Sequence, residues 1–393
     1  MSYHVFHVCG PKDAPMAGIG DYIINSANAL LGQGFSSSYV SRASHGIVWD
    51  DTAEATMEKI IAKETPAGKI PIIHTHMAVP FCGAGLSPEF LKKYKSVATV
   101  HEIKELDDAG QLYSLDFIEA VDGLIYTMQS EYDFTQALIE KHNRNIDLAA
   151  KTVFIMVPAG IPDAEDFETH HKGYESKSND VAFFGMIRPG RGMEGTLVSF
   201  ANKLKAAQPE STLRIVGSSV WEEVSVPEID NILHELSIAT FPAHVSELQE
   251  CSGPVLVDKI LELQNSTSPK DRALNIHIHF DEEIKDVVSI LSGCKFAYMP
   301  FTRGATDHSS SLPTTVGLCP ITISNIGVQT KGNVQNVLYP SENADEAVEI
   351  ISDFISGSRA PLDMTEAIST YMNERSWKNL AMISNMLYEK LVS

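Results

Sequence analysis

Short apolar runs recur along the chain, and most are followed by a stretch with helical spacing of its apolar positions. In the first half, runs at 3–8, 38–41, 70–76, 97–101, 123–127 and 153–157 predict strands. Patterns at 21–31 and 52–63, and one running to Lys141 with Ser130 as its N-cap, predict helices. The second half repeats the rhythm, with strands predicted at 181–185, 212–217, 276–280, 296–300 and 319–324. Helical patterns there cover 227–236, 255–264 and 344–355, and a single amphipathic helix is predicted over 366–391. Apolar strands alternating with helices mean parallel sheets covered on both faces. Residues 163–179 are polar and aperiodic, which predicts a linker with His170 and His171 in solvent. The segment 218–275 exceeds a simple crossover and reads as an insertion.

A length of 393 residues predicts two domains. At 44% hydrophobic and 21% charged residues the composition is that of a globular protein. The opening Met-Ser-Tyr-His-Val-Phe-His has neither a basic nor an apolar leader segment, and no apolar run approaches the roughly 18 residues of a membrane span. Five cysteines without a C-x-x-C pair predict reduced thiols and a cytoplasmic protein, with no disulfide framework and no zinc site. A net charge of −21 weighs against nucleic acid and anionic membrane surfaces, yet leaves room for a small phosphate-bearing ligand held by a local pair of cations.

Such a pair stands in Val181-Ala-Phe-Phe-Gly185-Met-Ile-Arg188-Pro-Gly190-Arg191-Gly192. A strand runs into a turn of glycines and arginines before a helix, the layout in which helix-start amides and guanidinium groups neutralise an anion. An ordinary βα turn with surface arginines has the same pattern. Three further places sit at predicted strand ends. Gly18-Ile-Gly20-Asp21-Tyr22 offers close backbone approach, but Ile23 stands where a dinucleotide fingerprint needs its third glycine. His74-Thr-His76 and His101-Glu102 end strands at the edge where open α/β sheets bind ligands. These histidines lack the i, i+4 helical spacing of a metal pair, so no metal site is predicted. Thr306-Asp307-His308-Ser309-Ser310-Ser311 precedes a helix reaching about Gly317, with Asp307 or Ser309 as N-cap.

These segments, in this order, resemble the GT-B glycosyltransferases, and among them the large retaining family 4-like group (glycosyltransferase group 1), over nearly the whole chain. Gly18-Ile-Gly20-Asp21-Tyr22 is similar to that group's G-V-G-D-Y loop, and Ala98-Thr-Val-His101-Glu102 to its strand-end histidine motif. Val157-Pro158-Ala-Gly160-Ile-Pro162 resembles I-P-x-G-I, and Leu213-Arg-Ile-Val-Gly217 resembles L-x-I-V-G. Phe184-Gly185 through Gly190-Arg191-Gly192 resembles the segment whose basic residue binds the diphosphate, and Arg375-Ser376-Trp377 the F-S-W before the last helix. The group's E-x7-E pair is absent. Asp307 and Ser309–Ser311 stand closer to a branch reading G-A-S-E-R-R-G-S-L.

The resemblance implies an α/β, GT-B fold of two Rossmann-like domains facing across a cleft, with a C-terminal helix crossing back to the first domain. It implies an acceptor domain at 1–165, a nucleotide-sugar domain at 175–365, and the returning helix at 366–393. It further implies transfer of a sugar from a nucleotide-diphosphate sugar to an acceptor hydroxyl, with retention and without a metal or other cofactor. His101, Arg188, Arg191 and Asp307 would be catalytic. Gly18, Gly20, Gly185, Gly192, Ser309, Ser310 and Ser311 would hold the donor, and His76 and Glu102 the substrate. The acceptor would be a saccharide, a lipid-linked group or a protein. Because the glutamate pair is missing, a nucleotide-sugar-binding or scaffold protein without transfer is the alternative. A nucleotide-sugar epimerase lacks its carboxylate pair here, and a nicotinamide dehydrogenase its third glycine.

Overall fold

The computed structural model describes residues 2–8, 19–48, 50–77, 85–101, 103–104, 106–185, 196–217, 226–306, 309–328, 330 and 332–393. The chain divides into two compact units, Met1–Gly160 with Glu374–Ser393, and Ile161–Asn373. Among the described residues each unit holds one six-stranded sheet, and every strand pairing is parallel.

The first sheet comprises β1 (Tyr3–Val8), β2 (Ser37–Val40), β3 (Ile70–Met77), β4 (Lys95–Val100), β5 (Gly123–Tyr126) and β6 (Thr152–Phe154). Its order is β2-β1-β3-β4-β5-β6, so the chain reverses its direction of travel at the seam between β1 and β3. Open α/β sheets bind ligands at the carboxyl ends of strands flanking such a seam. Successive side chains of a strand point to opposite faces, and both faces here are covered. Phe6, Ile73, Ala98 and Leu124 join one buried cluster, with Phe90, Leu115 and Phe117. Val5, Ile72, Val97 and Ile125 join the other, with Trp377, Leu380 and Tyr388. Each such valine, leucine, isoleucine or phenylalanine contributes about 1.5–3 kcal/mol on burial.

The second sheet comprises β7 (Ser178–Phe184), β8 (Leu213–Gly217), β9 (Ile276–Phe280), β10 (Cys294–Met299), β11 (Ile321–Ser324) and β12 (Tyr339–Pro340). Its order is β12-β11-β10-β7-β8-β9, which puts the corresponding seam between β7 and β10.

Four expectations are corrected. The presumed linker is ordered: a 3-10 turn at Pro162–Glu165 and a helix at Phe167–His171 lead into β7. Asp166 caps that short helix, Phe167 is buried, and His171 Nε2 lies 3.0 Å from the carbonyl of Val316. One buried aromatic, a local side-chain cap and one tertiary polar contact suffice to fix a segment with no apolar period. The helix before Lys141 begins at Gln129 with Met128 as its cap residue, two positions before the expected cap at Ser130. The terminal helix is two, Thr365–Glu374 and Trp377–Val392. The break falls at Ser376, whose backbone is extended and whose hydroxyl accepts from the Asn379 N–H at 3.0 Å. Only the second of these helices belongs to the first unit. The fourth concerns the helix after β10, described below. Strand β12, missed in the sequence, is only two residues long and contains a proline. Among the described residues no helix is long and apolar enough to cross a membrane.

Candidate functional site

A file of four histidines crosses the carboxyl edge of the first sheet at its seam. His7 on β1 is in register with His74 on β3. The i, i+2 spacing of His74 and His76 sends both rings to one face, and His101 follows β4 directly. The rings of His7 and His74 have centroids 4.7 Å apart, those of His74 and His76 also 4.7 Å with 15° between planes, and those of His76 and His101 5.6 Å with 20°. His76 Nδ1 lies 3.3 Å from His101 Nε2. His74 is bonded on both sides, with Nδ1 2.7 Å from the Tyr388 hydroxyl and Nε2 2.7 Å from Thr99 Oγ1. Tyr22 stands edge-on to His76 and His101, and its ring contacts Trp377, whose indole N–H donates to the Ala159 carbonyl at 3.0 Å.

Burial sets the protonation state of this file. It pushes the His7 imidazole down to about 3, reinforced by His4, and that of His101 to about 4. His74 and His76 fall well below the usual histidine range for the same reason, each reinforced by its histidine neighbours. All four are therefore neutral at pH 7: able to hydrogen-bond a sugar hydroxyl or ligate a metal, but not to serve as fixed cations. The chain after His101 is tied down from below. The carboxylate of Glu131, fully buried, accepts from the N–H groups of Ile103 at 2.8 Å and Lys104 at 3.3 Å, while Lys104 Nζ lies 3.4 Å away.

In the second unit the carboxyl edge is built by close backbone packing. Gly185 follows β7 with φ 137°, and its N–H donates to the Val216 carbonyl at 3.0 Å. Neighbouring Gly217 ends β8, where a Cβ would come within 2.5 Å of the Gly185 carbonyl oxygen. Beyond β10, Asn325 grips Phe301 through both its amide groups, accepting from the Phe301 N–H at 2.8 Å and donating to its carbonyl. The helix Ser311–Leu318 then begins, with all eight residues buried. Its cap residue is Ser310, which makes no side-chain cap bond, rather than Asp307 or Ser309. The Ser309 hydroxyl is instead paired with that of Ser311 at 2.8 Å, both residues buried. A cleft of about 480 Å³ in this unit is bordered by Lys203, Tyr298, Asn325, Glu342 and Asp345. Its two carboxylates, one of them paired with Lys203, make it a poor phosphate site.

Of the residues singled out in the sequence, the structure thus brings His76 to His101, and Ser309 to Ser311. Gly20 lies in the first turn of the Ile19–Gly32 helix, which starts before the position expected from periodicity, and is buried. Gly18, Glu102, Arg188, Arg191, Gly192 and Asp307 lie outside the described residues. The sequence reading passed over His7, Glu131 and Tyr388, and took Tyr22 only as part of the glycine-rich loop. The shared histidine parity of β1 and β3 was the one available signal. The others depend on contacts between distant segments.

No family profile matches this sequence, and no curated protein matches it. Solved structures do match. A glycosyltransferase from Rickettsia africae ESF-5 aligns with 100% of this chain and 99% of its own, at TM-score 0.56 and 17% identity. A UDP-forming α,α-trehalose-phosphate synthase from Burkholderia xenovorans aligns over 100% of both chains, at TM-score 0.58 and 11% identity. An α-glucosyltransferase in complex with UDP does so at TM-score 0.59 and 11% identity, and the same enzyme name recurs in a complex with UDP and a 13-mer DNA. At these identities the likeness is one of fold. The chain has the GT-B fold, spanning its full length.

Proposed function

We propose that this GT-B chain is a glycosyltransferase that moves a sugar from a nucleotide-diphosphate sugar to an acceptor hydroxyl, with retention and without a divalent metal at the diphosphate. The observation that carries the reading is the full-length fold likeness to glycosyltransferases, some of them in complex with UDP. In this reading the second unit takes the donor and the first the acceptor.

The segment with Arg188 and Arg191 follows β7, one of the two strands at the second sheet's seam. Two guanidinium groups there would neutralise charge growing on the leaving diphosphate, a role that a metal fills elsewhere. The bond from the anomeric carbon to the phosphate oxygen breaks as the acceptor oxygen attacks from the same face, and the leaving phosphate takes the acceptor's proton. No carboxylate nucleophile is then required, which is compatible with the missing glutamate pair. Neutral His101 is suited to hydrogen-bond a sugar hydroxyl, and Ser309–Ser311 together with Asp307 to meet the donor's polar groups. The charge of −21 favours a saccharide or protein acceptor over DNA, and a lipid-linked acceptor would have to reach the protein away from an anionic surface. Free cysteines at 251, 294 and 319 fit a cytoplasmic setting.

The test is a panel of nucleotide sugars scored for thermal stabilisation and slow hydrolysis, with and without a chelator, on the wild type and on Arg191→Ala. One nucleotide sugar should stabilise the protein and be cleaved with the chelator present. The variant should lose about 100-fold or more in rate. Binding without cleavage, whatever the acceptor, would favour the second reading, a nucleotide-sugar-binding protein. The absent E-x7-E pair is the observation on that side. Binding of none would end both.

A further inference from the structure

His7 is fully buried, and neither of its ring nitrogens has a hydrogen-bond partner. Nε2 of His76, also buried, has none either. A neutral imidazole always presents one N–H and one lone pair, so a buried ring with both unmet is costly unless something else satisfies it. The two histidines are not scattered. A nitrogen from each of His7, His74 and His76 lies within 4.8 Å of the other two.

We propose that His7, His74 and His76 form a binding site for a first-row transition-metal ion, Zn²⁺ foremost, at the β1–β3 seam of the first sheet. The donor set selects the metal class. Three imidazoles and no carboxylate suit Zn²⁺, Co²⁺, Ni²⁺ or Cu²⁺ and do not suit Mg²⁺ or Ca²⁺, which take oxygen ligands. A neutral imidazole offers the lone pair of one ring nitrogen, which is the form in which histidine ligates a metal. Bonds of about 2.0–2.1 Å to zinc require the three nitrogens to draw closer than they stand. No hydrogen bond opposes a shift of the His7 ring toward the ion. His74 gives up one of its two partners, Tyr388 or Thr99, and the other keeps its ring oriented. His76 binds through Nε2 while Nδ1 stays against His101. Three protein ligands leave a tetrahedral ion one open position for water or a ligand oxygen. The proposal does not rest on the transferase reading, because metal uptake is measured without donor or acceptor.

The experiment is titration of chelator-stripped full-length protein with Zn²⁺ and, as a spectroscopic substitute, Co²⁺. One ion per chain should be taken up, with a rise in melting temperature and with the intense visible absorption of four-coordinate cobalt. His7→Phe keeps an aromatic ring and removes both unmet nitrogens, so it should fold and should weaken binding by more than the ~10–100-fold that loss of a ligand's outer partner costs. His142→Ala, outside the file, should bind as the wild type does. Absence of stoichiometric uptake by the wild type, or equal affinity in folded His7→Phe, overturns the site. If that variant fails to fold, the wild-type Co²⁺ complex decides: paramagnetically shifted ring protons from three histidines support the site, and none or one rules it out.

Discussion

The hydroxyl of Tyr388 lies 2.7 Å from Nδ1 of His74, joining residues 314 positions apart. Both are buried, and His74 is held on its other side by Thr99. The last helix thus does more than cover the first sheet. It fixes the orientation of a ring in the middle of the histidine file.

Tyr388→Phe removes this contact and keeps the ring. His74 is then left with one unmet buried nitrogen, at a cost of about 1–3 kcal/mol. Urea denaturation followed by tryptophan fluorescence should show a lower midpoint with an unchanged slope.

Glu131 fixes the backbone that follows His101. Glu131→Ala leaves the Ile103 and Lys104 N–H groups without their carboxylate, and hydrogen bonds to charged groups carry about 1.5–3 kcal/mol each. Glu131→Gln retains one amide oxygen as acceptor and should recover most of the loss. A denaturation midpoint that does not distinguish the two variants would count against this role.

Gly217→Ala places a methyl 2.5 Å from the Gly185 carbonyl oxygen, backbone against backbone. The end of β7 must shift to accept it. Stability should fall by about 1–3 kcal/mol, and affinity for a nucleotide sugar should fall with it, because β7 leads straight into the arginine segment. Ala at Gly32, where a Cβ meets nothing within 4 Å, is the control.

Acid should destabilise the protein earlier than its carboxylates alone would. An unfolded histidine titrates near 6.5, whereas burial lowers His7 to about 3 and His101 and His171 to about 4. Between about pH 6.5 and 4 the unfolded chain therefore binds protons that the folded chain refuses. Stability is fully present above that window and is lost as pH falls through it, by up to about 1.4 kcal/mol per pH unit for each fully buried ring. Melting temperatures from pH 7.5 to 4.5 should decline, and His7→Phe should flatten the decline.

Much of the architecture was legible because it is local. Alternating parity in β3, with Ile72 and Ile73 on opposite faces, and the helical spacing of 344–356 are written in neighbouring residues. What escaped was set by distant partners. Residues 163–179 look like a linker until Val316 supplies a carbonyl to His171. Ser309 looks like a helix cap until Ser311 takes its hydroxyl. The histidines were visible singly at two strand ends. Their convergence with His7 depends on the strand order β1-β3-β4, which no local pattern encodes.

The discontinuity of the first unit also bears on biosynthesis. Trp377, Leu380 and Tyr388 complete one of the two cores of the first sheet, yet the ribosome delivers them only after the whole of the second unit. Until then Val5, Ile72 and Val97 lack that cover, while Ile161–Asn373 is already complete in sequence. The second unit is thus free to complete its fold before the first, inverting the usual N-to-C order, with one face of the first sheet left uncovered until the last helix is made.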